Sequence, residues 1–201
     1  LFLKQFIEAG NLGDIVGIQC SAIYAKPDSY FDIDWHRTTG PLLINAIHDV
    51  DDLHYLTGMR VKRLYAAARN SIRGGEVEDS ASIVFEYAEG PTCTYFVSDG
   101  VPGPWGYDLA AEEMHFINCR PGENSLRVFG TKGSFGLPNM DFYRYGPGQY
   151  GWTEPLLKTH YEVGRPDPAT ATLEHFGDLI DGVELVPRCS GEEGLATLKV
   201  V

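Results

Sequence analysis

GPLLINAIHDVDDLHYLTG, residues 40–58, is the stretch of this 201-residue chain where a long apolar run carries a dense set of titratable groups. His48, Asp49, Asp51, Asp52 and His54 fall within seven residues. Leu42, Leu43, Ile44, Ala46, Ile47, Val50, Leu53 and Leu56 recur at helical spacing. Pro41 suits a first helical turn, where its missing N–H would go unbonded anyway, and Gly58 suits a C-terminal stop. The spacing predicts one helix. At ~100° per residue, Asn45, His48, Asp49, Asp51, Asp52 and Tyr55 share an arc of roughly 160°, with Ile44 among them, and most aliphatic residues face the other way. Steps of three, four and three join Asn45, His48, Asp52 and Tyr55 into a stripe that aims an amide, an imidazole, a carboxylate and a phenol at one cleft.

Working outward, Leu1 to Ala9 reads as a helix with Leu3, Phe6 and Ile7 inward, stopped at Gly10, and Asp14 to Ala25 reads as a strand rich in Ile, Val and Tyr. Residues 26–39, KPDSYFDIDWHRTT, are loop-like and mix Tyr30, Phe31 and Trp35 with Asp34, His36 and Arg37, either a ligand-contacting loop or an aromatic-anchored surface one. Beyond the helix, strands are expected at Arg60–Ala68, Ser80–Tyr87 and Thr92–Val97, the last two forming a hairpin across Glu89-Gly90. Ser98 to Ala111 is too rich in Gly and Pro for a regular element, and a loop of that size is often functional. Further strands are expected at Met114–Asn118, Ser125–Phe129, Ser134–Leu137 and Asp141–Tyr145, then a connecting loop over 146–167. A helix over Ala169–Ile180 groups Leu173, Phe176, Leu179 and Ile180 on one side and closes at Gly182. The sum predicts an α+β fold: one large, predominantly antiparallel β-sheet with helices on one face. The sheet's other face needs cover, and a second subunit is the expected one.

The length suggests one domain with room for a sizeable core. A formal charge of -12 and a pI near 4.8 argue against nucleic acid or an anionic membrane as partner, because either selects a basic surface. Cys20, Cys93, Cys119 and Cys189 are widely separated, with no CxxC or zinc-type spacing, so reduced thiols in the cytoplasm are expected, the alternative being pairing of the four in an exported protein. No apolar run reaches membrane-spanning length, and LFLKQFIEAG is too short and amphipathic for a signal peptide. Helical patterns run into both ends, so the chain reads as a piece of a longer protein.

His48 shares its stripe with Asn45 and Asp52, which favours a functional role over a packing one. The rival, a metal site on HDVDDLH with His and carboxylate one turn apart, is disfavoured by the want of a second ligand cluster, and no metal is expected. Asp51 reads as structural, and His54, His115, His160 and His175 as packing residues. No GxGxxG follows a strand, and no Walker sequence, GxSxG elbow or cysteine nucleophile with an obvious base occurs.

The 40–58 stretch resembles the GG-P-x-L-I-N-x-I-H-D-I-D-x-L-x-x-L-x-G helix of the Gfo/Idh/MocA dehydrogenases, the glucose-fructose oxidoreductase and inositol dehydrogenase family. Three more stretches are similar in order: DIDWHRTTG to its Trp-and-Arg loop, RVFGTKGSFGLP to its Gly-Thr-x-Gly-Ser turn, and LEHFGDLIDGVELVPRCSGEEGLATLKVV to its closing helix and Ser-Gly-x-x-Gly-Leu segment. The resemblance implies a two-domain enzyme of which residues 1–201 are the C-terminal substrate-binding and oligomerisation domain. NAD or NADP is then held mainly by an N-terminal Rossmann domain outside this chain, whose Glu-Lys-Pro segment contributes a catalytic lysine. The implied substrate is a sugar, polyol or related hydroxy compound, and the implied assembly a homodimer or homotetramer through the sheet face. His48 is similar to the family's general base, an imidazole whose pKa near working pH lets it take the hydroxyl proton as hydride leaves the same carbon. His48 and Asn45 are assigned the chemistry, and Trp35, His36, Arg37, Asp49 and Asp52 the substrate contacts. One departure stands out: where many members carry Asp, four residues before that histidine, this chain has Ile44, with Asn45 three residues before. Asn hydrogen-bonds but takes no proton at neutral pH. The alternative is a non-catalytic dimerising or ligand-sensing member of the same fold.

Overall fold

The structure is a computed structural model that describes residues 1–88, 90–114, 117–118, 121–164 and 166–201. Among them eight strands are found: β1 (Ile15–Ile23), β2 (Val61–Arg69), β3 (Ser80–Tyr87), β4 (Thr92–Ser98), β5 (Leu126–Gly130), β6 (Gly133–Leu137), β7 (Asp141–Tyr145) and β8 (Leu156–His160). They make one sheet in the order β2-β3-β4-β1-β5-β6-β7-β8, antiparallel at every pairing except β1 with β4. The period of two is plain in the middle of the sheet. Ile18, Cys20 and Ala22 of β1, Ala81, Ile83 and Phe85 of β3, and Cys93, Tyr95 and Val97 of β4 are buried on one face.

Helices cover that face. α1 (Phe2–Glu8) contributes Leu3, and α3 (Ile47–Thr57) contributes Val50, Leu53 and Leu56, each worth roughly 1.5–3 kcal/mol on full burial. α3 ends as expected, with Gly58 at φ 70° and its N–H bonded to the His54 carbonyl at 2.9 Å. Its start differs from one regular helix, because Leu42–Ala46 form a π-helical turn. Pro41 offers no N–H there, and the Leu42 N–H goes instead to the Glu78 carboxylate at 3.1 Å. Gly40 makes room for that carboxylate, since a Cβ would lie 2.0 Å from Glu78 Oε1. The wider π turn breaks the ~100° step, so the projected stripe does not run straight through Asn45.

The 26–39 segment is less loop-like than expected: it holds a 3₁₀ turn, Asp28–Asp32, and a short helix, α2 (Asp34–Thr38). A helical turn, α4 (Tyr107–Ala110), also sits inside the Gly- and Pro-rich 98–111 stretch. β8 lies within the expected 146–167 connection; its residues are almost all exposed, so no alternating burial marks it in the sequence. α5 (Pro168–Ile180) is capped by the Asp167 side chain, and its Leu173, Phe176 and Ile180 are exposed in this chain. α6 (Gly191–Leu198) packs on α3, where Thr197 donates to Asp51. His115, Cys119, Glu89 and part of the expected Met114–Asn118 strand lie outside the described residues. Among the described residues, no helix is long and apolar enough to cross a membrane.

The single parallel pair sets where the chemistry gathers. Because β1 and β4 run the same way, the chain leaves both at the same end of the sheet, and Ser80 pairs there with Ser98 and Arg69. The 24–39, 70–79 and 98–111 connections therefore converge beside the start of the helix that carries His48.

Candidate functional site

Asn45 is 8% exposed, turned by the π turn toward the end of β1. Lys26 Nζ donates to its Oδ1 at 2.7 Å, and its Nδ2 donates to the Tyr24 hydroxyl. These two bonds fix the amide's orientation. The Asp108 carboxylate on α4 interacts electrostatically with His48, Lys26 and Tyr24. Burial raises the Asp108 pKa, opposed by His48, Lys26 and Tyr24, and the net direction is up. His48 itself is exposed.

Lys26 is held from several sides. Its backbone N–H bonds the Asp99 carbonyl at 2.8 Å, Arg73 Nη2 donates to its carbonyl at 3.2 Å, and its ammonium lies 4.5 Å from the Tyr30 ring centroid. Burial lowers its pKa to about 8, with Asp99 resisting, Arg73 assisting and Asp108 resisting.

The other carboxylates of the helix divide by direction. Asp49 points down into the sheet, where the Tyr95 hydroxyl donates at 2.6 Å and the Cys20 thiol at 3.7 Å. Burial pushes it up to about 7, against those hydrogen bonds. Asp52 keeps an exposed surface, but its carboxyl borders the same 130 Å³ cavity as Asp49 and Tyr107. Desolvation there, then Asp51, Glu113 and Asp108, pushes it up to about 7. Asp51 is structural, as expected, through the Thr197 hydroxyl at 3.1 Å. His54 is buried against α6, with Nδ1 3.4 Å from that hydroxyl, but its Nε2 has no partner, so it is a packing residue left half-satisfied. Tyr55 faces α1 instead of the cleft, with Lys4 4.9 Å from its ring centroid. His160 and His175 pair with Asp141 and Glu184, at 3.0 and 3.1 Å.

The loop residues gather around Tyr30. His36 is buried, stacked on the Tyr30 ring at 3.8 Å, and its Nδ1 donates to the Tyr30 carbonyl at 2.5 Å. Arg37 pairs with Asp34, and Trp35 is 56% exposed. His36 and Arg37 border a 710 Å³ cleft whose far wall is Arg73 and Glu78; His48, Asn45, Asp49 and Asp52 do not line it. The structure thus joins Asn45 to Lys26, and Lys26 through Tyr30 to His36, while Asp49 and Asp52 belong to a separate small cavity.

This arrangement can hold a hydroxyl compound and move a proton: an exposed imidazole on α3 and, bonded to Asn45 one turn before it, an amine whose pKa burial lowers to about 8. Tyr24, Lys26 and Asp108 were not singled out in the sequence. Lys26 and Asp108 sit in segments read as loops, and only the β1–β4 pairing brings them together; an acidic residue closing a Gly- and Pro-rich loop was the available hint. Among the described residues, no group of three or more His, Cys, Asp or Glu side chains is placed to hold a metal.

Residues 1–136 match the family model of the GFO/IDH/MocA C-terminal domain. No curated protein matches the chain. Among solved structures, UDP-N-acetylglucosamine 3-dehydrogenase GnnA from Acidithiobacillus ferrooxidans is similar with a TM-score of 0.67 and 17% identity, over 98% of this chain and 57% of that one. Aldose-aldose oxidoreductase from Caulobacter crescentus, complexed with glycerol, gives 0.69 and 18%, over 98% and 54%. The WlbA dehydrogenase from Bordetella pertussis, in complex with NADH and UDP-GlcNAcA, gives 0.64 and 21%, over 99% and 54%. At these identities the likeness shows the fold. The chain spans a little over half the length of each.

Proposed function

The chain belongs to the GFO/IDH/MocA C-terminal domain family, and from that premise we propose that it is the substrate-binding and catalytic half of an NAD(P)-dependent dehydrogenase acting on a sugar, polyol or sugar-nucleotide hydroxyl. The observation that carries the reading is the exposed His48 at the sheet end where Lys26, Asn45 and Asp108 converge. Dehydrogenation removes a hydride from the carbinol carbon and a proton from its oxygen. His48 is the proposed proton acceptor. Lys26 holds the hydroxyl, set in place by Asn45, with Trp35, His36 and Arg37 as further substrate contacts and Asp49 and Asp52, in their separate cavity, as supports of the helix. The related structures with NADH and with glycerol support this choice of chemistry.

The residues present do not fit a dinucleotide. No glycine-rich strand-to-helix turn occurs in the sequence, and the one parallel strand pair is connected through α2, α3, β2 and β3 instead of a single crossover helix. The cofactor is therefore proposed to be held by a dinucleotide-binding domain outside this chain, and the isolated 201 residues are expected to be inactive. We also place the protein in the cytoplasm, in keeping with the free thiols Cys20, Cys93 and Cys189, and as a homodimer or homotetramer through the outer sheet face.

The test is turnover by the full-length protein with NAD⁺ or NADP⁺ and a panel of glucose, myo-inositol and UDP-N-acetylglucosamine. His48→Ala is expected to lower kcat by about 10²–10⁴-fold. Unchanged turnover in that variant would sink the catalytic assignment and leave a ligand-sensing domain.

A further inference from the structure

We infer that the 710 Å³ cleft beside His36 is the subsite for a second, uncharged sugar ring, so that the substrate is a neutral two-unit glycoside in place of a lone polyol or a sugar nucleotide. The inference rests on the dehydrogenase reading and narrows its substrate class.

The cleft is built around one buried imidazole. His36 is 8% exposed, and its ring is fixed by the stack on Tyr30 at 3.8 Å and the edge contact with Trp35 at 4.0 Å. With the Nδ1 proton donated to the Tyr30 carbonyl, Nε2 is left as a lone-pair acceptor, and among the described residues no group donates to it. A buried acceptor calls for a donor, and this one borders a cleft of the size that holds small ligands, about 300–1,000 Å³.

The rest of the lining sets the chemistry of what enters. Phe31, with the Arg73 guanidinium 3.8 Å from its ring centroid, supplies an apolar wall. Neither guanidinium of the cleft is a free anion clamp, since Arg73 bonds Asp99 and the Lys26 carbonyl and Arg37 pairs with Asp34. Against these two stand the carboxylates of Asp28, Glu78, Asp79 and Asp99. A phosphate would therefore enter a field of its own sign. Hydroxyl groups meet no such penalty: they donate to His36 Nε2 and to the carboxylates, and accept from the Thr39 hydroxyl and the remaining Arg37 N–H groups.

The cleft adjoins the reacting end without being part of it. Lys26 donates to Asn45, one turn before His48, and its ammonium lies 4.5 Å from the same Tyr30 ring that His36 stacks on. Lys26, Asn45 and His48 do not line the cleft, so its occupant is a unit of the substrate that does not react, joined past Tyr30 to the unit that does. Binding energy from such a remote unit positions the reacting one.

The experiment uses the full-length protein with NAD⁺ or NADP⁺ and matched series for glucose, galactose and N-acetylglucosamine: the free sugar, the β-1,4 disaccharide carrying it at the non-reducing end, and the UDP derivative, with myo-inositol added. In the series that is turned over, the disaccharide is expected to exceed both the free sugar and the UDP derivative in kcat/KM by about tenfold or more. His36→Phe keeps a ring on Tyr30 but offers no acceptor. Its KM for the disaccharide should rise about tenfold with kcat within about threefold, and the advantage over the free sugar should shrink by the same factor. Arg37→Met breaks only an exposed ion pair, so it folds in any case, and it should shrink that advantage at least about threefold. A highest kcat/KM on a free sugar, on myo-inositol or on a UDP derivative would overturn the inference and leave the dehydrogenase reading intact. So would an undiminished disaccharide advantage in folded His36→Phe or, where His36→Phe does not fold, in Arg37→Met. No turnover of any compound by wild type would instead strike at the functional reading itself.

Discussion

The Tyr95 hydroxyl, on the central strand β4, donates a 2.6 Å hydrogen bond to the carboxylate of Asp49, the residue after His48. The bond crosses from sheet to helix and pins the His48-bearing helix α3 by its underside. It does not fully offset the cost of burying a carboxylate, since Asp49 is pushed up to about 7, first by burial.

That shift has a defined consequence for stability. A carboxyl raised in the folded state binds its proton more tightly there than in the unfolded chain, so the protein loses stability as pH rises between about 4 and 7, and carries the full penalty above 7. Asp49→Asn keeps the shape and an oxygen for Tyr95. It is expected to stabilise the protein at pH 8 by an amount on the order of 2–4 kcal/mol, shrinking toward zero near pH 4. Urea midpoints of both proteins across that range check it; a gap that stays constant with pH would show that Asp49 is not the titrating group.

Lys26 is expected to titrate near 8 because burial disfavours its ammonium. After reductive methylation with isotopically labelled formaldehyde, one dimethyl-lysine NMR signal should move with a midpoint near 8, well below an ordinary lysine at about 10.4, and should be missing in Lys26→Arg. Lys26→Met should also lower kcat/KM of the full-length protein about tenfold, since Asn45 Oδ1 then loses its donor. A midpoint above 10 for every lysine would remove the basis for that loss.

What the sequence revealed depended on how local each feature was. Ser80–Tyr87 and Asp141–Tyr145 have the expected bounds, because alternating or aromatic-rich runs between turn residues define strands without reference to partners. The His48 helix and its Gly58 stop were legible for the same reason. The π turn was not: it arises where Pro41 withholds an N–H and Glu78, from another strand's approach, takes the next one. Asn45 consequently left the stripe, while Tyr55 meets Lys4 of α1, a neighbour that the helix pattern alone does not specify. Lys26, Tyr24 and Asp108 meet only because β1 pairs in parallel with β4, a long-range choice that no local pattern encodes.

The outer sheet face offers a test of the proposed assembly. Tyr65, Val84, Thr94, Gln19 and Arg127 form one row across five strands by register, with Tyr65 73% and Val84 38% exposed, so the face mixes apolar and polar groups and is not a second core. Such a surface suits an interface with a wet rim. Val84→Arg is expected to halve the mass measured by light scattering on a sizing column, with the unfolding transition retained; an unchanged mass would place the interface elsewhere.

Asp79 shows how far the site depends on a turn outside it. This carboxylate is 1% exposed and accepts the backbone N–H groups of Ser71, Ile72 and Arg73 at 3.2, 2.6 and 3.0 Å, and the Ser80 hydroxyl at 3.1 Å. Burial alone would raise its pKa, but the three backbone donors outweigh burial and hold it below its ordinary value. The turn so formed aims Arg73 at Asp99 and at the Lys26 carbonyl, the strut behind the Lys26–Asn45 bond. Asp79→Asn replaces one acceptor oxygen with a donor facing donors, so it should cost about 2–4 kcal/mol at pH 7. A group whose pKa is depressed on folding stabilises above its unfolded value and loses that contribution as pH falls through the folded one, so the cost should persist at pH 5 and fade below about 4. Because Arg73 is released with the turn, kcat/KM should fall in Asp79→Asn but not in Glu76→Gln, which lies on the same turn outside the carboxylate's bonds. Equal activity in both variants, with Asp79→Asn destabilised, would show that the turn supports the fold alone and that Lys26 needs no help from it.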